Sequence, residues 1–320
     1  MDTPAILVTR KLPPAVEDRL RRDYRPRLNE DDRPIPPDEL IEMSAGADAI
    51  ITVPTDRWRA AEIERLPERL RAIATFSVGF DHIDLDAARA RGIVVTNTPD
   101  VLTEATADTA MLCLLGAARR AFEGEALVRT DSWDGWTPTQ LLGVEMNGAD
   151  LGIVGLGRIG RAVARRARAF GMEIHYHDPV RLPEELEQGA IYHPDLDEML
   201  PEVRFLSLHC PMSEDSRHMI DARALGLLPR GAVLVNTARG GLVDDEAVLA
   251  ALDSGQLFAV GLDVYEGEPR LHDGYRIRRN CFLLPHLGSA TVETRNAMGF
   301  RCLDNLDAIF QDEPAPDALT

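Results

Sequence analysis

Residues 151–160 read LGIVGLGRIG, an apolar run that passes directly into Gly155, Gly157 and Gly160 at GxGxxG spacing. A short apolar strand entering such a turn needs a helix behind it, and this restricts the fold more than any other segment does. The helix is legible: Ile159, Ala162, Val163, Ala167 and Phe170 recur at helical spacing, and Gly171 stands where a terminating glycine belongs. In this arrangement the first glycine permits the tight turn, the second lets a pyrophosphate approach the backbone, and the third lets helix pack on strand. N–H groups at the helix start then face the phosphates, and Arg158 can add a charged contact. The next strand, Glu173 to His177, ends in Asp178, where a dinucleotide fold places the acid for the ribose hydroxyls. An Asp repels a 2′-phosphate, so NAD is expected over NADP; Arg181, three residues on, can offset that repulsion and leaves NADP open. Gly155, Gly157, Arg158, Ile159, Gly160 and Asp178 form the expected cofactor cradle.

At 320 residues the chain exceeds what one core usually fills, so two lobes with a cleft are expected. The first hundred residues alternate β-rich runs (Ala5 to Thr9, Ala49 to Val53, Ala72 to Phe76, Ile93 to Thr96) with helical stretches at Pro14 to Arg22 and Leu85 to Arg91. From Thr103, Ala107, Ala110, Met111, Leu114, Leu115 and Ala118 line one face of a long helix. After an irregular stretch from Asp131 to Gly148, strands and helices alternate to Pro285, which predicts βαβ units and a parallel sheet. A last helix, Ala290 to Gln311, carries Cys302, Leu303, Leu306, Ile309 and Phe310 on one face and can return the chain to the first lobe. The expected class is α/β with two Rossmann-like domains: a doubly wound parallel sheet in a dinucleotide-binding domain at 101–289, and a smaller flavodoxin-like substrate-binding domain from 1–100 and 290–320.

The formal charge of −18 argues against nucleic acid, and no apolar run reaches the length of a membrane span. Residues 1–10 lack a basic segment followed by an apolar stretch, so the expected location is the cytoplasm and the expected partner a small molecule. Cys113, Cys210, Cys281 and Cys302 show no metal-ligand spacing and read as reduced, mostly buried thiols. His175 and His177 can face one way, but no carboxylate or Cys pattern accompanies them, so no metal site is expected.

Ligands of open α/β sheets bind outside the carboxyl ends of the strands. Strand Ala232 to Asn236 runs into Thr237, Ala238 and Arg239; strand Leu257 to Leu262 into Asp263 and on to Glu268; strand Cys281 to Leu284 into His286. An Arg, an acid and a His thus converge on one edge. Reducing a 2-oxo acid needs a cation for the carboxylate, a proton donor for the oxygen, and a group that keeps the donor protonated. Arg239, His286 and Glu268 supply these three, with Arg239 and His286 also binding substrate.

The chain resembles the D-isomer-specific 2-hydroxyacid dehydrogenase family through SVGFDHIDLDAARARGI (77–93), GLGRIG (155–160), NTARGGLVDDEAVLAAL (236–252), GLDVYEGEP (261–269) and PHLGSAT (285–291). The resemblance implies that Arg239, Glu268 and His286 are catalytic and that the backbone of Val78 and Gly79 holds the substrate carboxylate. It also implies that Asp263 and the turn of Thr237, Ala238 and Arg239 meet the nicotinamide end of the cofactor. Thr106, His209, Pro211 and Gly288 are counted among the cofactor-binding residues. NTPDVLTEATAD (97–108), WDGWTPTQLLG (133–143) and GSATVETRNAM (288–298) resemble the glyoxylate/hydroxypyruvate reductase branch, which implies a two- or three-carbon 2-oxo acid. Glu268 argues against the formate dehydrogenase branch, which pairs its His with Gln.

A D-lactate or short 3-phosphoglycerate dehydrogenase remains open, as does a non-catalytic NAD-sensing corepressor, although such corepressors usually carry extended tails or partner-binding grooves, and here the sequence read ends soon after the last expected helix. The resemblance further implies a homodimer built through the nucleotide-binding domain and the helix near 103–121, with Trp133 and Trp136 either at that interface or in the core. The basic segment 271–280 reads as a solvated loop.

Overall fold

The computed structural model describes residues 3–320; Met1 and Asp2, part of the segment read for a leader, lie outside them. The chain divides into two units, one running up to Leu102 and resuming over Ser289–Thr320, the other spanning Thr103–Gly288.

In the first unit β1 (Ala5–Val8), β2 (Arg25–Arg27), β3 (Ala49–Thr52), β4 (Ala72–Thr75) and β5 (Val94–Thr96) form a parallel sheet in the order β2-β1-β3-β4-β5. This is the flavodoxin-like order. All residues of β3 and β4 are buried, as expected of strands covered on both faces. Strand β2, Arg-Pro-Arg, carries no apolar signal and was not anticipated; Pro26 is tolerated because the strand lies at the sheet edge. The terminal helix Val292–Phe310 packs on β4 and on helix Pro14–Asp23. It buries Cys302, Leu303, Leu306 and Ile309, while Phe310 is half-buried. Arg19 reaches across to Asp304 at 2.8 Å.

The second unit holds β6 (Asp150–Val154), β7 (Glu173–His177), β8 (Ile191–His193), β9 (Phe205–Leu208), β10 (Ala232–Asn236), β11 (Leu257–Leu262) and β12 (Cys281–Leu283). They form a parallel sheet in the order β12-β11-β10-β9-β6-β7-β8. Strand order reverses between β6 and β9, the switch point at which open α/β sheets bind ligands. Helices Thr103–Ala118 and Arg158–Ala169 cover one face, where Ala110, Leu114, Val163 and Ala167 meet Ile153, Val233 and Val235. Helices Ala222–Leu227 and Asp245–Ser254 cover the other, where Leu225, Val248 and Leu252 meet Leu206, Leu234 and Val260. Each fully buried Leu, Ile or Val side chain contributes about 1.5–3 kcal/mol, so this three-layer core outweighs local conflicts such as a glycine inside a helix. Gly116 is one: glycine costs about 1 kcal/mol in a helix interior, but a Cβ there would come within 2.6 Å of the Phe282 ring.

The second unit departs from the sequence reading in several places. Helix Ala121–Arg129 was not anticipated because it buries no residue and so shows no apolar stripe. Its Arg129 bonds Glu125 at 2.6 Å. Trp133 and Trp136 are 54% and 78% exposed, which overturns the core reading for both. The buried Trp is Trp58, in the first unit, whose indole N–H donates to Thr52 at 2.8 Å. The segment 271–280 is an anchored helix, Asp273–Ile277, rather than a solvated loop: Tyr275 is buried and donates to Asp245 at 2.7 Å, and Arg278 bonds Asp253 at 2.6 Å. Phe170 is exposed because the helix ends one residue before it. Among the described residues no helix is long and apolar enough to cross a membrane.

Candidate active site

The glycine turn follows β6, whose register with β7 aligns Val154 with His177 and so brings Asp178 beside the turn. Gly155 adopts a φ of 92°, and a Cβ on it would come within 2.6 Å of the Cys210 amide. Gly160 packs on the Gly155 carbonyl. Gly157 caps helix Arg158–Ala169, and a Cβ there would meet nothing within 4 Å, so the space above the helix N-terminus is open. Arg158 is exposed and Ile159 half-buried on the first turn. Asp178 accepts from the Leu156 amide at 2.6 Å through Oδ2. Burial pushes its carboxyl above the ordinary value, opposed by that amide and by the charge of His177. Arg181 does not serve as the counter-charge suggested by sequence: its guanidinium is held by Glu187 at 2.8 Å and lies over the Tyr192 ring.

Beyond β9, His209 accepts or donates at 2.8 Å to Ser207. Its surface is half-buried, yet dense protein surroundings push its pKa down to about 4, so the ring is neutral. Pro211 is exposed, and its carbonyl accepts from Ser216 at 3.0 Å.

The turn after β10 is tied by buried Asn236, which accepts from the Ala238 amide at 3.0 Å and donates to the Arg239 carbonyl at 2.8 Å. Gly240 lies directly on the Tyr265 and Glu266 backbone, where a Cβ cannot fit, and this brings the Arg239 turn against the one bearing Glu268. The Thr237 hydroxyl is buried without a protein partner. An open space over a helix N-terminus, a partnerless buried hydroxyl and an acid at the end of β7 together fit a dinucleotide.

Glu268 and His286 meet at 2.7 Å, Oε2 to Nδ1. A carboxylate only accepts, so Nδ1 carries the hydrogen and Nε2 faces away from Glu268. Glu268 Oε1 accepts from the Tyr265 amide at 2.9 Å. Burial alone would raise the Glu268 carboxyl; the His286 hydrogen bond and charge, the Tyr265 amide and the charge of Arg239 outweigh it and hold it below the ordinary value. His286 itself sits at a φ of 56°. Asp263, fully buried, fixes that turn: its carbonyl accepts from the His286 amide at 2.9 Å, and its carboxylate from Leu287 at 2.6 Å and Gly288 at 2.8 Å. Each carboxylate oxygen thus accepts one backbone amide, which gives Asp263 a positioning task beside the cofactor contact expected of it. Thr106 is buried, and a Cβ on Gly288 would come within 3.4 Å of it and of the Asp263 carboxylate.

In the first unit the turn after β4 is held from inside. Asn97 donates to the Val78 carbonyl at 2.8 Å and Ser77 to the Gly79 carbonyl at 2.6 Å. With both carbonyls turned inward, the Val78 and Gly79 amides remain as donors suited to an anion.

The family model described as D-isomer specific 2-hydroxyacid dehydrogenase, NAD binding domain, matches residues 111–288. Glycerate dehydrogenase of Hyphomicrobium methylovorum is 45% identical over 312 residues, covering 97% of each chain. The chain belongs to the D-isomer specific 2-hydroxyacid dehydrogenase family. Glyoxylate reductase of Thermococcus litoralis is 40% identical over 99% of this chain and 96% of its own length. The NADPH-dependent glyoxylate/hydroxypyruvate reductase of Sinorhizobium meliloti, solved with NADP and malonate, has a TM-score of 0.90 at 36% identity, covering 100% of this chain and 97% of its own. This D-2-hydroxyacid dehydrogenase is therefore an NAD(P)-dependent oxidoreductase.

Sequence reasoning did not single out Asn236 and Tyr265, which brace the Arg239 and Glu268 turns. Both lie inside the motifs that marked the family, as N of NTARGG and Y of GLDVYEGEP. A polar residue at the buried last position of a strand is the available signal for Asn236, since such a group must find partners nearby. Tyr265 donates its hydroxyl to the Leu284 carbonyl at 2.8 Å, a contact distant in sequence and invisible to local patterning.

Proposed function

We propose that this enzyme reduces glyoxylate or hydroxypyruvate to glycolate or D-glycerate, with NADH preferred. The observation that carries the reading is the 2.7 Å contact between Glu268 and His286 Nδ1, with Arg239 on the adjoining turn. The bound dihydronicotinamide supplies a hydride to C2. Arg239 binds the carboxylate and carbonyl oxygen through its planar fork. His286, held by Glu268 through Nδ1, delivers the Nε2 proton to that oxygen, and in the reverse direction withdraws it. Glu268 stays ionised throughout and balances the imidazolium. Acid catalysis of this kind is worth about 10²- to 10⁴-fold. The preference for NADH rests on Asp178, with Arg181 committed to Glu187. The Val78 and Gly79 amides of the first unit offer hydrogen bonds to the substrate carboxylate.

Initial rates with glyoxylate, hydroxypyruvate, pyruvate and phosphohydroxypyruvate, each with NADH and NADPH, test the substrate reading. The first two with NADH should give the highest kcat/KM. His286→Ala should abolish turnover and retain NADH binding; turnover near the wild-type rate would remove His286 from the mechanism.

We infer a cytoplasmic location, a reading that the free cysteines support. A homodimer is supported by the cluster of exposed apolar side chains in one stretch of chain: Phe122, Val128, Trp133, Trp136 and Leu142. Light scattering should give twice the chain mass, and Trp136→Glu should shift it towards the monomer.

A further inference from the structure

The geometry points to a divalent transition-metal site at the β7–β8 edge of the second unit, formed by His175 Nδ1, His193 Nε2 and the Glu202 carboxylate, distinct from the site of hydride transfer. His175 lies mid-strand in β7 and His193 ends β8, the edge strand paired to it. Glu202 belongs to the short turn of helix Leu200–Glu202 that leads towards β9. One donor atom from each lies within 4.8 Å of the others. His175 Nδ1 is 2.9 Å from His193 Nε2 and 4.0 Å from Glu202 Oε2. Both rings are at least nine-tenths buried, whereas the Glu202 side chain is 59% exposed.

Two features favour metal binding over a chance cluster. Asp150 Oδ1 lies 3.6 Å from His175 Nε2, on the far side of the ring from His193. At 3.6 Å the carboxylate makes no direct hydrogen bond, but it lies on the side where a metal-binding imidazole turns its second nitrogen to an acceptor, and a proton held there leaves the first nitrogen as a lone pair. The strands also fix the two rings on one face of the sheet, so the entropy of bringing them together is spent in folding. In a tetrahedral Zn²⁺ site with bonds of ~2.0–2.1 Å, donor atoms stand roughly 3.4 Å apart. The rings therefore part by about half an ångström, and the exposed Glu202 carboxylate closes by a similar amount on His175 and by up to about 1.4 Å on His193, movements that side-chain rotation supplies. The donor set, two imidazoles and one carboxylate with the fourth position left to water, suits Zn²⁺, Co²⁺ or Ni²⁺ and disfavours Mg²⁺ and Ca²⁺, which take oxygen ligands. Binding replaces the proton shared between the two rings, so about one proton is released per ion. The metal would staple the edge strand β8 to β7.

The test is calorimetric titration of Zn²⁺ into tag-free, chelator-treated enzyme at neutral pH in two buffers of different ionisation enthalpy. One ion per chain, a Kd on the order of micromolar or tighter and release of about one proton are expected. His193→Ala should weaken binding at least a hundredfold and Glu202→Gln about tenfold, with turnover of the ion-free enzyme unchanged in both. His193→Asn serves if the alanine variant fails to fold. Co²⁺ should give intense visible d–d bands of a tetrahedral site in the wild type and lose them in His193→Asn. Binding only at millimolar Zn²⁺, or equal binding by wild type and His193 variants, overturns the assignment.

Discussion

The Asp263 carbonyl accepts the His286 amide at 2.9 Å, and the Asp263 carboxylate accepts the two amides that follow. One buried side chain thus sets the backbone on which the proposed proton donor stands. Asp263→Ala leaves the Leu287 and Gly288 amides without acceptors, at about 1–3 kcal/mol for each buried donor. Asp263→Asn keeps one acceptor and should lose about half as much. Thermal unfolding should rank wild type above Asn above Ala, and kcat should follow the same order while the affinity for NADH changes little.

Glu268 provides the second hold on His286. Glu268→Gln keeps the shape of the contact and removes the anion, so kcat for reduction should fall by about a hundredfold or more with little change in NADH affinity. Stability gives an independent reading. The carboxyl titrates below its ordinary value of 4.5 in the folded chain, so near that pH the unfolded chain binds more protons than the folded one. The contribution of Glu268 is complete above pH 4.5 and is lost as pH falls through the depressed value. The melting temperature of Glu268→Gln should therefore fall less steeply than that of the wild type below pH 4.5.

Gly155 and Gly157 separate folding from binding within one motif. Gly155→Ala puts a side chain at a φ of 92° against the Cys210 backbone and should lower the melting temperature markedly. Gly157→Ala meets no protein atom and should leave the melting temperature within a degree or two, while NADH affinity, followed by nucleotide fluorescence, drops at least tenfold. Equal NADH affinity in Gly157→Ala and the wild type would place the pyrophosphate elsewhere.

Asp178→Ser tests cofactor choice. Removing the carboxylate at the end of β7 removes its repulsion of a 2′-phosphate, and the ratio of kcat/KM for NADPH over NADH should rise at least tenfold, which is about 1.4 kcal/mol. Adding Glu187→Gln, which frees Arg181 from its 2.8 Å partner, should raise the ratio further.

How much of this was legible in the sequence follows from the range of the interactions. The strands of the sheet interiors and the glycine turn were readable because buried strands and tight turns write themselves locally: β7, β10 and β11 span the residues expected. Strand β2 and helix Ala121–Arg129 were not, since an edge strand of Arg-Pro-Arg and a helix without a buried face carry no apolar period. At the site, Arg239, Glu268 and His286 could be placed on strand ends, but the hold of Asp263 on the His286 turn spans more than twenty residues and involves backbone amides, which no motif displays. The reading of Arg181 failed for a related reason. Its partner Glu187 sits in a short helix whose position depends on Tyr176 donating to Glu187 at 2.6 Å.

The φ of 56° at His286 has a cost that activity conceals. A β-carbon-bearing residue loses about 1–2 kcal/mol in the left-handed region, whereas Gly and, to a lesser degree, Asn adopt it readily. Selection for heat resistance alone would therefore drift towards Gly or Asn at this position and arrive at a tougher, inert protein. The histidine persists in a conformation that opposes the stability of the chain, and the three hydrogen bonds that its turn donates to Asp263 are what allow fold and turnover to coexist there.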